Sequence, residues 1–283
     1  MTAGRPPSAR DGLGLRAQTI AWGVPVVALC LWRGGWVLAA AAAALSLACL
    51  QEFWALGRPH GTRGRLRVEL AAGAVAVVVG SAAGRAPAEL ALVVGLLAVW
   101  TGGVVRASQA HEPGALAADL RATVWATAGL LYVPWLLGYV VRLRADGPQP
   151  LADAALTVGL VWAGDVAAYL VGSRWGRRRL APRLSPGKTW EGSAAALAVG
   201  VAAGAALGPL LAAVPSWGGA VVGAATVALG QAGDLWESAC KRAAGVKDSG
   251  AAVPGHGGVL DRFDSLLFAA PAAYWLLATV HWR

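Results

Sequence analysis

The sequence predicts an all-α fold, a polytopic bundle of membrane-spanning helices. Of its 283 residues, 57% are hydrophobic and only 14% are charged, and the mean hydropathy is +0.56. A soluble domain carries about 25% charged residues. Because one water-soluble core cannot cover so much apolar surface, we expect a multi-pass membrane protein.

Apolar runs recur along the whole chain and predict about nine transmembrane helices. The first and third runs are short for a membrane core, which takes about 20 helical residues. Alanine and glycine are abundant, and small residues allow helices to approach closely in lipid. The runs are 19–32, 36–56, 68–84, 87–105, 122–141, 152–173, 192–214, 217–236 and 263–281.

Polar segments divide the chain into three predicted parts. Residues 1–18 form a cytosolic tail, and residues 19–150 form the N-terminal transmembrane helices. Residues 151–283 form a catalytic C-terminal region, whose cytosolic loops are 174–191 and 237–262.

The distribution of basic residues predicts the orientation. With the N-terminus in the cytosol and nine alternating spans, 19 of the 24 Lys and Arg residues fall inside, as the positive-inside rule requires. The net charge of +9 is then explained without a nucleic-acid partner. We expect the protein in the inner or plasma membrane, with both long polar loops on the cytosolic face.

The second polar segment contains the pattern of a metal and phosphate site. Asp234 ends one apolar run, whereas Asp261 and Asp264 begin the next, three residues apart on one helical face. Carboxylates at membrane depth are costly and imply a partner. Magnesium suits them, because it combines one or two carboxylates with phosphate oxygens and water.

Cations and glycines complete this pattern. The segment PGHGG offers a backbone that a ligand can approach closely. Positive charge comes from Lys241, Arg242, Lys247 and Arg262. Carboxylates for a metal, cations and open backbone together predict binding of a phosphate group.

The first polar segment predicts a second anion-binding element. Asp165 lies on the cytosolic half of a span, and SPGKTWEG follows a basic run. Ser-Pro-Gly is typical of a turn, and Ser185 or Thr189 suits the cap of the next helix. A helix start beside Lys188 favours an anion. A Walker loop is excluded because Pro182 stands where its first glycine belongs.

Lysine is rare in this chain, which has 21 Arg and three Lys. All three lysines, Lys188, Lys241 and Lys247, lie in these two polar segments. A compact ammonium group is therefore expected to matter at these positions. The three cysteines show no CxxC spacing and predict neither a disulfide framework nor a zinc site.

The stretch SACKRAAGVKDSGAAVPGHGGVLDRFD, from Ser238 to Asp264, resembles the signature of the phosphatidate cytidylyltransferases. Every charged position and spacing of that signature is matched. D-x-x-A-Y at 165–169 and SPGKTWEG are also similar to family segments. The strong similarity covers about residues 160–270. The first 150 residues resemble the family only in having several spans and, weakly, in the segment QEFWAL at 51–56.

The resemblance implies transfer of CMP from CTP to phosphatidate, giving CDP-diacylglycerol and pyrophosphate with Mg²⁺ as cofactor. The implied partners are CTP, phosphatidate and the bilayer, with a homodimer left open. The implied catalytic residues are Asp234, Lys241, Lys247, Asp248, Asp261 and Asp264, of which Asp234, Asp261 and Asp264 bind the metal. The implied substrate-binding residues are Asp165, Ser185, Lys188, Ser238, Arg242, His256, Gly257, Gly258 and Arg262.

Structural roles are the alternative for several of these residues. The three metal-site aspartates are also suited to pair with Arg242 or Arg262, and Asp248 with Lys247. Asp165, Ser238 and His256 are suited to interhelical, intrahelical and loop hydrogen bonds, respectively.

Two other functions compete with the cytidylyltransferase reaction. One is a related CTP-dependent polyprenol or phytol kinase, or a cytidylyltransferase for another lipid. The other is a transporter or channel, which would need charged residues near the membrane midplane. It is disfavoured because the acidic residues of this chain cluster at the predicted cytosolic ends of the spans.

Overall fold

The computed structural model describes residues 22–57, 64–110, 114–250 and 257–281. Helices dominate this part of the chain, and one short two-stranded antiparallel hairpin interrupts them. The helices are α1 (Trp22–Arg33), α2 (Gly35–Gly57), α3 (Gly64–Ala82), α4 (Arg85–Ser108), α5 (Ala115–Leu130), α6 (Leu136–Ala145), α7 (Pro150–Trp175), α8 (Trp190–Leu211), α9 (Ser216–Ala243) and α10 (Leu260–His281), and the strands are β1 (Arg179–Ala181) and β2 (Ser185–Thr189).

The helical bundle predicted from composition is confirmed. Within the described residues, each apolar run contains a helix, and α5 continues into α6 through a π-helical turn, Leu131–Trp135, that contains Pro134. Such a turn accommodates a residue without a backbone N–H.

Within the described residues, six helices are long and apolar enough to cross a membrane. They are α2, α4, the continuous α5–α6 helix, α7, α8 and α10. The short α1 falls outside this group, as do α3 and α9. The glycines and polar residues of α9 lower its hydropathy, although its length suffices. The total of nine spans therefore stays a prediction.

The last four helices pack as consecutive neighbours, α7 against α8, α8 against α9 and α9 against α10. The α8–α9 contact depends on glycines. A Cβ atom on Gly204 would overlap the carbonyl oxygen of Gly219, and one on Gly223 would overlap that of Gly200. Backbones in direct contact allow α8 and α9 to pack closely, so that the polar segments at their ends lie near each other.

Substituting Gly204 with alanine should destabilise the protein by about 1–3 kcal/mol, because the added methyl group forces two backbones apart. Gly159→Ala in α7 is the matched control, since no atom lies within 4 Å of a Cβ there. Thermal unfolding in detergent measures both variants. Equal unfolding temperatures for the two would contradict a glycine-dependent contact.

The helices extend into both predicted loops, and a short hairpin lies within the first loop. Residues 237–243, predicted as loop, continue α9, because Glu237 and Lys241 pair one helical turn apart. Residues 185–187, predicted as a turn, lie in β2, which pairs with β1. Of the two candidate caps, Thr189 caps α8, since its hydroxyl accepts the Gly192 N–H at 3.2 Å.

Candidate active site

A cavity of about 1290 Å³ lies between α1, α7, the hairpin and the facing ends of α8, α9 and α10. It joins an apolar wall, which includes Val24, Val27 and Val166, to a strongly polar end. Eight predicted site residues line this cavity: Asp165, Lys188, Asp234, Lys241, Asp248, Asp261, Arg262 and Asp264. The two polar segments of the sequence therefore meet in one place.

Lys188 and Asp234 join the hairpin to α9. The Lys188 ammonium lies 2.5 Å from Asp234 Oδ2, and their side chains are 24% and 32% exposed. The carboxylates of Asp165 and Asp264 each repel that of Asp234 and are each attracted by Lys188. Asp234 is thus paired directly with Lys188, and the carboxylates of Asp165 and Asp264 interact electrostatically with this pair at the polar end of the cavity.

Lys241 is the centre of a second charged group. Its ammonium lies 2.5 Å from both Glu237 Oε2 and Asp261 Oδ1. The other Asp261 oxygen accepts the backbone N–H groups of Gly258 at 2.8 Å and Ser249 at 3.1 Å. Both oxygens of Asp261 are therefore engaged, and the Glu237 side chain is fully buried behind them.

Two predicted substrate-binding residues have structural partners. The Ser238 hydroxyl donates to Asp234 Oδ1 at 3.4 Å. Arg242 donates to the carbonyl oxygens of Leu184 and Val246 at 3.1 and 2.9 Å, so it ties α9 to the hairpin turn.

The other predicted site residues are absent from the cavity lining or lie outside the described residues. Gly257 has a left-handed backbone with φ of +82°, and a Cβ there would lie 2.8 Å from Asp261 Oδ2. Lys247 is exposed and is not among the lining residues of the cavity. Ser185, in β2, is likewise outside the lining, and His256 lies outside the described residues.

Four residues of this region were not among the predicted site residues. Glu237 had a usable signal, since it lies four positions before Lys241. Gln231 and Ser193, which line the cavity, hydrogen bond to each other across α8 and α9. Glu52 contacts Leu260, 208 positions away, and no local pattern indicates such a partner.

The donor atoms at the polar end suit magnesium without enclosing it. Among the residues that the structure describes, no three His, Cys, Asp or Glu side chains are grouped to hold a metal ion. Magnesium nevertheless binds with one or two carboxylates when phosphate oxygens and water complete its shell. Asp234, Asp261 and Asp264 all bring hard oxygens to the cavity lining. Asp234 is paired with Lys188, and Asp261 is held by Lys241 and by two backbone N–H groups.

The pattern that defines the Cytidylyltransferase family matches residues 14–280, nearly the whole chain. The chain belongs to the cytidylyltransferase family. The match also covers the N-terminal helices, for which the sequence suggested only a faint likeness.

Individual relatives of this cytidylyltransferase-family protein are bacterial. It is 43% identical over 150 residues to a phosphatidate cytidylyltransferase of Brucella suis, covering 53% of this chain and 56% of that protein. It is 38% identical over 157 residues to the phosphatidate cytidylyltransferase of Bacillus subtilis, covering 54% and 57%. The matched stretch therefore spans about half the length of these relatives.

Proposed function

We propose that this protein transfers CMP from CTP to phosphatidate, giving CDP-diacylglycerol and pyrophosphate for phospholipid biosynthesis. The supporting observation is one cavity in a multi-pass membrane protein that has cations and carboxylates at one end and an apolar wall at the other. Its relatives named phosphatidate cytidylyltransferase are 38–45% identical over the matched stretch.

The cavity suits the chemistry of this transfer. Both substrates are strongly anionic, so the ammonium groups of Lys188 and Lys241 and the guanidinium group of Arg262 would offset their repulsion. A phosphate monoester is already a nucleophile at neutral pH. Catalysis then requires mainly in-line positioning and charge stabilisation, rather than a general base.

We propose Mg²⁺ as the cofactor, with Asp234 and Asp264 as its first protein contacts. Bound there, the ion would offset charge on the triphosphate. Lys188 would exchange Asp234 for a phosphate oxygen as substrate enters. Asp261 would act one step away, by fixing Lys241.

Product analysis tests the proposed reaction. In the presence of Mg²⁺, purified protein in detergent should convert CTP and phosphatidate into pyrophosphate and CDP-diacylglycerol in equal amounts. Diacylglycerol, which lacks the phosphate, is the control and should give neither product. Release of CDP with polyprenol or phytol as acceptor would instead identify the kinase alternative.

We propose that the protein lies in the inner or plasma membrane. The distribution of basic residues favours an orientation with the N-terminus in the cytosol. In a cysteine-free background, an impermeant thiol reagent applied outside should label a cysteine at position 283 and not one at position 5. The reverse labelling would overturn this topology.

Lys188→Arg should lower kcat/KM by about tenfold or more, equivalent to about 1.4 kcal/mol. Its ammonium fits against Asp234 as a point charge, which a planar guanidinium does not reproduce. Arg177→Lys is the control, since the backbone N–H of Arg177 makes the contact with Glu191. Pyrophosphate release measures the activity of both variants. If Lys188→Arg is as active as Arg177→Lys, the rarity of lysine in this chain says nothing about the role of Lys188.

A further inference from the structure

Glu52, in α2, connects the N-terminal helices to the segment that leads into α10. Its Oε2 atom accepts the Ser249 hydroxyl and the Leu260 N–H, each at 2.8 Å. Its Oε1 atom accepts the Val259 N–H at 2.9 Å. One carboxylate therefore contacts the chain on both sides of residues 251–256.

The surrounding backbone is shaped to admit this carboxylate. A Cβ on Gly250 would lie 2.5 Å from Glu52 Oε1, and one on Gly258 would overlap Oε2. Gly250 and Gly258, both in the signature-like stretch, thus leave room for the Glu52 carboxylate, and Gly258 also leaves room for the Ser249 hydroxyl that contacts it. The first N–H groups of α10 lack partners within the helix, and a negative charge there is favourable.

The residues that contact Glu52 also contact Asp261. Ser249 donates its hydroxyl to Glu52 and its backbone N–H to Asp261 Oδ2. Gly258, next to Val259, donates its N–H to the same oxygen. The position of Asp261, and through it that of Lys241, is therefore linked to Glu52 by a short series of hydrogen bonds.

We propose that Glu52 is a positioning residue, by which the N-terminal helices fix the start of α10 and so place Asp261 and Lys241 in the cavity. The consequence for turnover rests on the proposed function. The placement itself does not. Glu52 is absent from the cavity lining, so it acts through Asp261 rather than on substrate.

Glu52→Gln is the decisive variant, because it keeps the length of the side chain. In either amide orientation, the NH₂ group faces at least one donor among Ser249, Val259 and Leu260. Gln51→Ala is the matched control, since Gln51 is an exposed neighbour on the same helix. Hydrogen exchange of a peptide covering residues 257–265 and the kinetics of pyrophosphate release are measured on the full chain in detergent.

For Glu52→Gln we expect at least about tenfold faster exchange in that peptide. We expect kcat per folded molecule to fall about tenfold or more while the KM for CTP changes less than about threefold, because no substrate contact is lost. Gln51→Ala should match the wild type in exchange rate, in kcat and in the KM for CTP. A purely structural cap would lower the amount of folded protein without changing kcat.

Unchanged exchange at residues 257–265 would overturn the proposal, and so would wild-type kcat per folded Glu52→Gln molecule. If the wild type releases no pyrophosphate, the proposed function fails. The exchange experiment then still decides whether Glu52 places the start of α10.

Discussion

Asp234→Asn should lower pyrophosphate release by about 100- to 1000-fold, while the protein remains folded in the membrane. The magnitude is that of removing one key electrostatic group from an active site. Asp234 pairs with Lys188 and accepts a hydrogen bond from Ser238. The carboxylates of Asp165 and Asp264 also interact with it electrostatically. Asparagine keeps its shape and one oxygen but removes the charge.

The loss should lie in chemistry and metal binding rather than in stability. Asp234 is 32% exposed, so its neutral replacement leaves no buried charge without a partner. Residual activity should rise with added Mg²⁺ if Asp234 contacts the ion. Glu89→Gln is the control, because it breaks an exposed i,i+4 pair with Arg85, and such pairs contribute little. Activity of Asp234→Asn within twofold of wild type would falsify the site.

Lys241→Met should abolish activity and also destabilise the protein, by about 3–5 kcal/mol. The ammonium is the partner of Glu237, whose side chain is fully buried, and of Asp261. Removing one member of a buried ion pair leaves the other charge uncompensated. Thermal unfolding in detergent and pyrophosphate release measure the two effects.

A second substitution separates the two effects of Lys241. Lys241→Met combined with Glu237→Gln should recover part of the stability, because only Asp261 then remains as a buried carboxylate without its ammonium, and it keeps two backbone N–H partners. It should recover no activity, because the cavity still lacks its cation. Lys241→Arg should fold and keep less than about a tenth of the activity. Recovery of turnover in the double variant would show that Lys241 is needed only for folding.

Local sequence patterns predicted much of the site. Asp165, Lys188, Asp234 and Asp261 were identified from polar positions at the ends of apolar runs, and they line one cavity in the structure. Such positions are informative because charge is expensive near lipid. The hairpin was missed because Pro182 and Pro186 in a short polar segment resemble a simple turn.

The partners of these residues could not be read from local patterns. The sequence suggested Asp234 opposite Asp261 across one ion. The structure pairs each carboxylate with its own lysine, Lys188 for Asp234 and Lys241 for Asp261, and an ion shared by the two carboxylates stays a prediction. Which cation reaches which carboxylate depends on the angle and depth at which α8, α9 and α10 pack, and these are set by glycine contacts such as Gly204 with Gly219.

The sequence by itself determined where the helices run, which of their ends are polar and which family signature they resemble, because hydropathy and residue spacing act over one or two helical turns. Only the tertiary structure decided that Glu52 completes the hydrogen bonding of Ser249 and the first turn of α10. That contact joins positions about 200 residues apart. It exists because the packing of α2 against α10 brings a carboxylate to N–H groups that have no partner in their own helix.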